Sequence, residues 1–240
     1  MFGAAPRVTV AQTVNQLAAW DGLMLSPIGA LAPVAHDPAY AGKPGDVLSL
    51  RHGRWRYDAD DAVHDTFALT WAHRFAFART EVAVTGGYAL VECGTCSGWQ
   101  MAGLSLHSTV FQRVAAYDRM NAFRSGVGIR LDVGGAHFHG EDRSSTISAS
   151  VTMPMEVTLP LPWTSSLGLA VVPGLGYGSI SSSGLTENGI VPMLGGAIAW
   201  AITSRVVLDV GAQRVIIPNG TTQVGAAISW TIRSRDAAKR

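Results

Sequence analysis

The sequence predicts an all-β protein, an antiparallel up-and-down transmembrane β-barrel of about ten strands, bounded at about eight to twelve. Three observations predict it. Apolar residues recur with a period of two in run after run, which is the side-chain period of a strand and not of a helix. The chain is 48% hydrophobic but only 15% charged, against about 25% charged in an ordinary soluble domain. Yet no unbroken apolar stretch reaches the ~20 residues that a membrane helix needs. The hydrophobicity is therefore spread over alternate positions, on one face of each strand.

The clearest strand runs from Thr221 to Ile232. Val224, Ala226, Ile228, Trp230 and Ile232 share one face; Gln223, Gly225, Ala227, Ser229 and Thr231 share the other. Gln223, Gly225, Ile228 and Trp230 also stand at the spacing of a C-terminal assembly signal: a polar residue, Gly two places on, then hydrophobics at the sixth and eighth places. In this the chain resembles the bacterial outer-membrane β-barrel proteins, of small porin-like type, with no subfamily indicated. Those proteins usually end at or beside their last aromatic, whereas ten residues follow Trp230 here. The resemblance implies integral placement in a bacterial outer membrane, contact with outer-membrane lipid, and handling by the barrel assembly machinery. It also allows passage of small solutes.

Residues 1–45 do not alternate and read as an N-terminal periplasmic segment, plug or linker. Val14 to Leu25 has the pattern of a short amphipathic helix, and Pro27 to Pro44 is rich in Pro, Ala and Gly. Asp21 and Pro27 interrupt the apolar 17–34 stretch, so no secretion leader is legible there. The barrel is assigned to residues 46–233 and a polar tail to 234–240. Alternating runs fall at roughly 47–57, 66–74, 80–92, 98–110, 121–136, 146–158, 166–180, 189–202, 205–216 and 221–232, divided by turn residues at hairpin spacing. The first run changes face between Leu50 and Trp55, so a bulge is expected near Gly53.

The connections alternate between polar segments, such as 58–65 and 137–145, and mostly shorter ones, such as 75–79 and 203–204. Long external loops and short periplasmic turns would produce that alternation. Trp71, Phe75, Phe111, Trp163, Trp200 and Trp230 map to the periplasmic end; Phe67, Tyr88, Trp99, Phe138 and Tyr177 map to the external end. Interfacial aromatic girdles have this distribution. Pro154, Pro173 and Pro192 oppose the assignment, because proline lacks the ladder donor. They require bulges, strand ends or a locally open sheet.

On this register Val82, Leu104, Ile129, Val151, Leu169, Ile198, Leu208 and Ile228 face lipid. The inward face is expected to hold a charge network of Arg54, Arg56, Arg74, Glu81, Arg124, Arg130, Asp132, Glu156, Arg205 and Asp209. Charges in a narrow barrel must pair or stay hydrated. Pairing would fill and seal the lumen, with Glu156 bridging to arginines on the next strand. Hydration would make the same charges a selectivity lining.

Cys93-Gly-Thr-Cys96 is expected as a disulfide at an external hairpin tip, since one C-x-x-C without a second pair is a weak metal signal. His137-Phe-His139 with Glu141 and Asp142 could hold a metal, but a polar loop explains it as well, and no metal site is assigned. No cofactor motif is present: the Gly-rich 174–178 stretch is followed by no βα unit. The net charge of +1 gives no sign of a nucleic-acid partner. His107, Ser108 and His73 complete no motif of outer-membrane proteases, phospholipases or lipid A deacylases, and no catalytic residue is assigned. The function read is a structural or small-pore outer-membrane barrel. Its rivals are a barrel enzyme acting on lipid or peptide, and a soluble barrel holding an apolar ligand. The face that points outward separates the last of these from the others.

Overall fold

The computed structural model describes residues 45–57, 63–75, 80–91, 99–114, 124–138, 144–161, 166–182, 185–203, 205–216 and 221–234. These form β1 (Gly45–Tyr57), β2 (Val63–Phe75), β3 (Thr80–Val91), β4 (Trp99–Val114), β5 (Arg124–Phe138), β6 (Ser144–Thr152), β7 (Met155–Pro160), β8 (Ser166–Ser182), β9 (Leu185–Ala201), β10 (Val206–Val215) and β11 (Thr221–Ser234). All pairings are antiparallel, and they join neighbours in sequence except for β1 with β11, β5 with β7 and β6 with β8. β6 and β7 form one stave, since both pair with β5 on one side and β8 on the other. The described strands therefore make ten staves, as the alternating runs predict.

The sheet closes on itself. A row of paired residues leaves β5 at Phe138 and passes through Trp99, Ala89, Thr66 and Gly53 to Gly225. It continues through Gly211, Ala197, Ala170 and Glu156, and returns to β5 at Gly126, twelve residues from where it left. That displacement is the shear of a barrel, and with ten staves it tilts the strands by about 40°. No edge is left, so every stave finds its ladder partners within the protein.

The prolines are accommodated without a change of register. Met153 and Pro154 interrupt the stave between β6 and β7, yet Thr152 still faces Gly174 and Met155 still faces Val171. The proline carbonyls remain in use: Gly128 N donates to Pro154 O, Met153 N to Pro173 O, and Ile216 N to Pro192 O, each at 2.9 Å. At Gly174 the two staves approach so closely that a Cβ would lie 2.6 Å from Thr152 Cγ2. A side chain there would collide with the strand opposite. A real bulge stands elsewhere, between Thr109 and Phe111 of β4, where exposed Val110 is the extra residue.

The expected bulge at Gly53 is a correction. β1 keeps one register with β2 throughout, and its only shift against β11 falls between Asp46 and Val47. Parity therefore runs unbroken: Val47, Ser49, Arg51 and Gly53 are buried, while Leu50, His52 and Arg54 are exposed. A pleated strand without an inserted residue cannot change face.

The exposed face is the apolar one. Leu104, Ile129, Val151, Leu169 and Ile198 are all exposed, and Val82, Leu208 and Ile228 are half-exposed. A closed barrel with its greasy face outward is built for lipid. The interior is narrow and lined by small residues, including Ala72, Ala83, Ala197, Ala199 and Ala227. With this tilt, one residue along a strand changes height by roughly 2.5 Å, and one step along a row by roughly 3 Å. On that scale exposed Phe67, Tyr88 and Tyr177 fall within one band of roughly 5 Å near the end away from the termini. Trp71, Trp200 and Trp230 lie roughly 12 to 20 Å below them, at the end where β1 begins and β11 finishes. These are two girdles with an apolar belt between.

The outward parity has a direct check. Single cysteines at positions 104, 151 and 198 are expected to react with a lipid-soluble maleimide in reconstituted vesicles, and cysteines at 150 and 199 are not. Preferential labelling at 150 and 199 would reverse the barrel's inside and outside.

Candidate functional site

The interior carries the chemistry, because the outer wall is almost entirely apolar. Strand alternation sends every second residue of each stave into the lumen. Four of these are charged and buried near mid-height: Arg51 on β1, Arg130 and Asp132 on β5, and Asp209 on β10. Their exposures are 7%, 1%, 2% and 2%. Arg130 Nε donates to Asp132 Oδ1 at 2.7 Å, and Ser150 Oγ on β6 donates to Asp132 Oδ2 at 3.1 Å. Arg130 and Asp132 are two apart on one strand, so the pleat puts them on the same face, within reach of each other. A guanidinium–carboxylate contact this short and dry is a strong charge-assisted bond.

The second group faces the first. Arg51 and Asp209 stand on either side of Ala227, which pairs with both. Ala68 on β2 and Ala199 on β9 flank them on the outer sides. A methyl at position 227 leaves room for the long arginine to lie over it. Asp132 is hydrogen-bonded, whereas both carboxylate oxygens of Asp209 are buried without a hydrogen-bond partner among the described residues. β1 and β5 are separated by three staves in one direction around the ring, so Arg51 and Asp132 stand on different walls of the lumen. By register Arg51 and Asp132 share nearly the same height, with Arg130 and Asp209 roughly 5 Å nearer the termini. The four charges form one layer across the barrel.

Neutral layers enclose it. Toward the termini Val47, Ala72 and Ala83 pack together, as do Ala199, Ala201 and Val207. Toward the other end Val191, Met193 and Val215 form a third cluster. Hydroxyl pairs add rungs between staves: Ser49 with Ser229 at 2.8 Å, and Thr70 with Thr85 at 2.9 Å. Gln213 Nε2 contacts Met193 Sδ at 3.2 Å. A buried charge layer between apolar layers is costly unless its members satisfy one another.

Three solved structures to which the chain is similar are a β-barrel domain, a translocator domain and an attachment protein, each at low identity. The N-terminal β-barrel domain of Pseudomonas aeruginosa OprF is 10% identical over 79% of this chain and 100% of its own, with a TM-score of 0.35. The translocator domain of the autotransporter NalP from Neisseria meningitidis is 10% identical over 94% and 99%, with a TM-score of 0.41. Ail, the attachment invasion locus protein of Yersinia pestis, is 12% identical over 79% and 97%, with a TM-score of 0.28. No family model and no curated protein sequence matches the chain. The likeness is one of fold. The chain's own pairings give it the fold of a closed antiparallel β-barrel with an apolar outer face.

Within the barrel the expected charge network divides. Arg130, Asp132 and Asp209 are buried in the lumen, and Glu156 is half-buried opposite Gly126. Arg54 is not in the lumen: with no bulge at Gly53 it stays on the outer face with Leu50 and His52. Arg205 is also outside it, exposed in the turn before β10, where its carbonyl accepts from Thr231 N at 2.9 Å. Arg56, Arg74, Glu81 and Arg124 lie in β1, β2, β3 and β5; Arg74 is the register partner of Glu81. Their side chains fall outside the described set, as do Cys93, Cys96, His139, Glu141 and Asp142 altogether. Arg51 was missed, and the signal for it was the unbroken parity of Val47, Ser49 and Gly53.

The assembly-signal residues all lie in β11, the stave that closes the ring against β1. Gln223 is buried on its inner face; Ile228 and Trp230 are half-exposed on its outer face. His52 Nε2 lies 3.0 Å from Asp65 Oδ1, and His73 Nδ1 lies 2.8 Å from Asp46 Oδ1, both pairs on the outer wall. His137 Nδ1 lies 2.9 Å from Ser145 Oγ. Among the described residues no group of three His, Cys, Asp or Glu could hold a metal ion.

The dry Arg130–Asp132 pair makes a quantitative expectation. Arg130→Met should lower the unfolding free energy by about 3–5 kcal/mol, because it strands a buried carboxylate. The double replacement Arg130→Met with Asp132→Leu should recover much of that loss. Urea titration in detergent, read by tryptophan fluorescence, measures both. A single variant as stable as the parent would mean that the pair is hydrated.

Proposed function

We propose that the protein is a non-enzymatic, structural outer-membrane barrel whose lumen is sealed at rest. One observation carries this reading: the charges at mid-lumen are buried to 7% exposure or less. A water-filled pore would leave its lining arginines and carboxylates wet, as a selectivity ring requires. Here Arg51, Arg130, Asp132 and Asp209 are buried in one layer, with small apolar clusters above and below it. Asp132 serves Arg130, and among the described residues neither Asp132 nor Asp209 is hydrogen-bonded to a histidine, which favours a structural role over acid–base catalysis. Passage of a small solute would require Arg51 to swing out of the mid-lumen layer, so a narrow, gated route is the second reading.

Planar-bilayer recording tests this. The unmodified protein is expected to give no large, steady conductance. Arg51→Ala should raise the frequency of channel openings, because it removes a long buried side chain from the mid-lumen layer. A stable, wide channel in the unmodified protein would overturn the sealed reading and make the charge layer a pore lining.

A further inference from the structure

Arg54, displaced from the lumen by the true register of β1, has a basic neighbour on the outer wall. Arg214 on β10 is also exposed, and its Nη1 donates to Thr222 Oγ1 on β11 at 3.0 Å. Arg54 pairs with Val224, two residues along β11 from Thr222. The two arginines therefore flank β11 on one patch of the exterior. By register they share one height within roughly 2 Å, inside the band of Phe67, Tyr88 and Tyr177. They sit at the level of the aromatic girdle away from the termini.

Directly beneath, the outer wall is hollowed. The row that starts at Arg54 passes through Val224, Ala212, Gly196, Val171 and Met155, descending toward the belt. Gly196 and Ala212 make a low floor between exposed Val171 and Val224. The result is an apolar groove of about 950 Å³, with Leu169, Ile198 and Val210 along its lower side. The inward residues behind it, such as Ala170 and Ala197, are buried, so the groove opens outward. A Cβ added at Gly196 would meet only Ala170 O, at 3.5 Å. The floor has space to be filled.

We propose that this patch is a binding site for a phosphorylated lipid of the surrounding leaflet. The phosphate would be held between Arg54 and Arg214, with one acyl chain lying in the groove below. Guanidinium forks suit phosphate oxygens, and Thr222 fixes the direction of one of them. An arginine at interface depth costs little on a barrel exterior, so height alone implies no ligand. The groove beginning at Val224, next to Arg54, is the independent observation, because it supplies the second half of an amphiphile's complement. Asp65 is the described carboxylate on the patch; it faces Arg54 in register, and His52 Nε2 engages it at 3.0 Å. Asp65 offsets one of the two arginines, so Arg54, Arg214 and Asp65 together leave one net positive charge on the patch.

Native mass spectrometry of the full chain in detergent provides the test, with phosphatidic acid and diacylglycerol of the same chain length as probes. Phosphatidic acid is expected to be retained one per protein, at least tenfold more tightly than diacylglycerol. Arg54→Gln with Arg214→Gln should remove that preference, and Arg54→Lys with Arg214→Lys should restore part of it. Gly196→Leu, which fills the floor, should weaken lipid retention while leaving both arginines in place. Heat-modifiable gel mobility verifies that each variant is folded, and the lysine and leucine variants keep the test open if the glutamine pair does not fold. Equal retention of the two lipids, or unchanged retention in the folded glutamine variant, would reduce the arginines to ordinary interfacial anchors. Displacement of phosphatidic acid by inorganic phosphate alone would make this an anion site and overturn the lipid assignment.

Discussion

Backbone hydrogen bonding in the absence of water is the constraint on which everything else rests. A strand in hydrocarbon has no solvent for its N–H and C=O groups, so each must find a partner in the protein. Ten staves achieve this only by closing, and the pairing of β1 with β11 is the join. Closure fixes the shear, and the shear fixes the tilt and the bore. The bore in turn explains the small inward residues on β9 and the alanines around Arg51. It also explains why proline is tolerated at positions 154, 173 and 192. Each loses a donor, but its carbonyl still serves a neighbour and the register does not slip.

The same closure sets up the electrostatics. A bore this narrow excludes most water from mid-height, so charges there must neutralise one another. Arg130 and Asp132 do so along one strand, which needs only the two-residue period of the pleat. Arg51 and Asp209 only face each other over Ala227, both Asp209 oxygens being buried without a hydrogen-bond partner among the described residues, and that juxtaposition needs the correct register of three strands at once. The first pair is therefore local and the second is a product of closure. Substituting a larger residue at position 227 would crowd the arginine without touching either charge.

Much of the fold was legible in the sequence because period-two alternation is a direct readout of a two-faced sheet. The ten staves and the lipid-facing set from Val82 to Ile228 follow from it. What alternation cannot supply is the absolute parity of a strand whose two halves disagree. In β1 the aromatics at positions 55 and 57 suggested a change of face, and a bulge was invoked to permit it. The strand runs straight instead, which moved Arg54 outward and brought Arg51 in. Arg205 was misplaced for a different reason: it lies in a tight turn, where alternation stops. The ladder partners that place Arg51 opposite Ala227 are contacts between residues about 180 apart in the chain, and no local pattern encodes them. The basic patch on the exterior was hidden by the same error of parity.

Closure through β1 and β11 is best tested where two side chains already touch across the join. Ser49 Oγ and Ser229 Oγ lie 2.8 Å apart. Cysteines at these two positions should form an intramolecular disulfide in membrane-inserted protein under mild oxidation, whereas the offset pair of positions 49 and 225 should not. Failure of the 49–229 bridge, or its appearance only between separate molecules, would contradict a closed barrel and leave β1 and β11 as free edges.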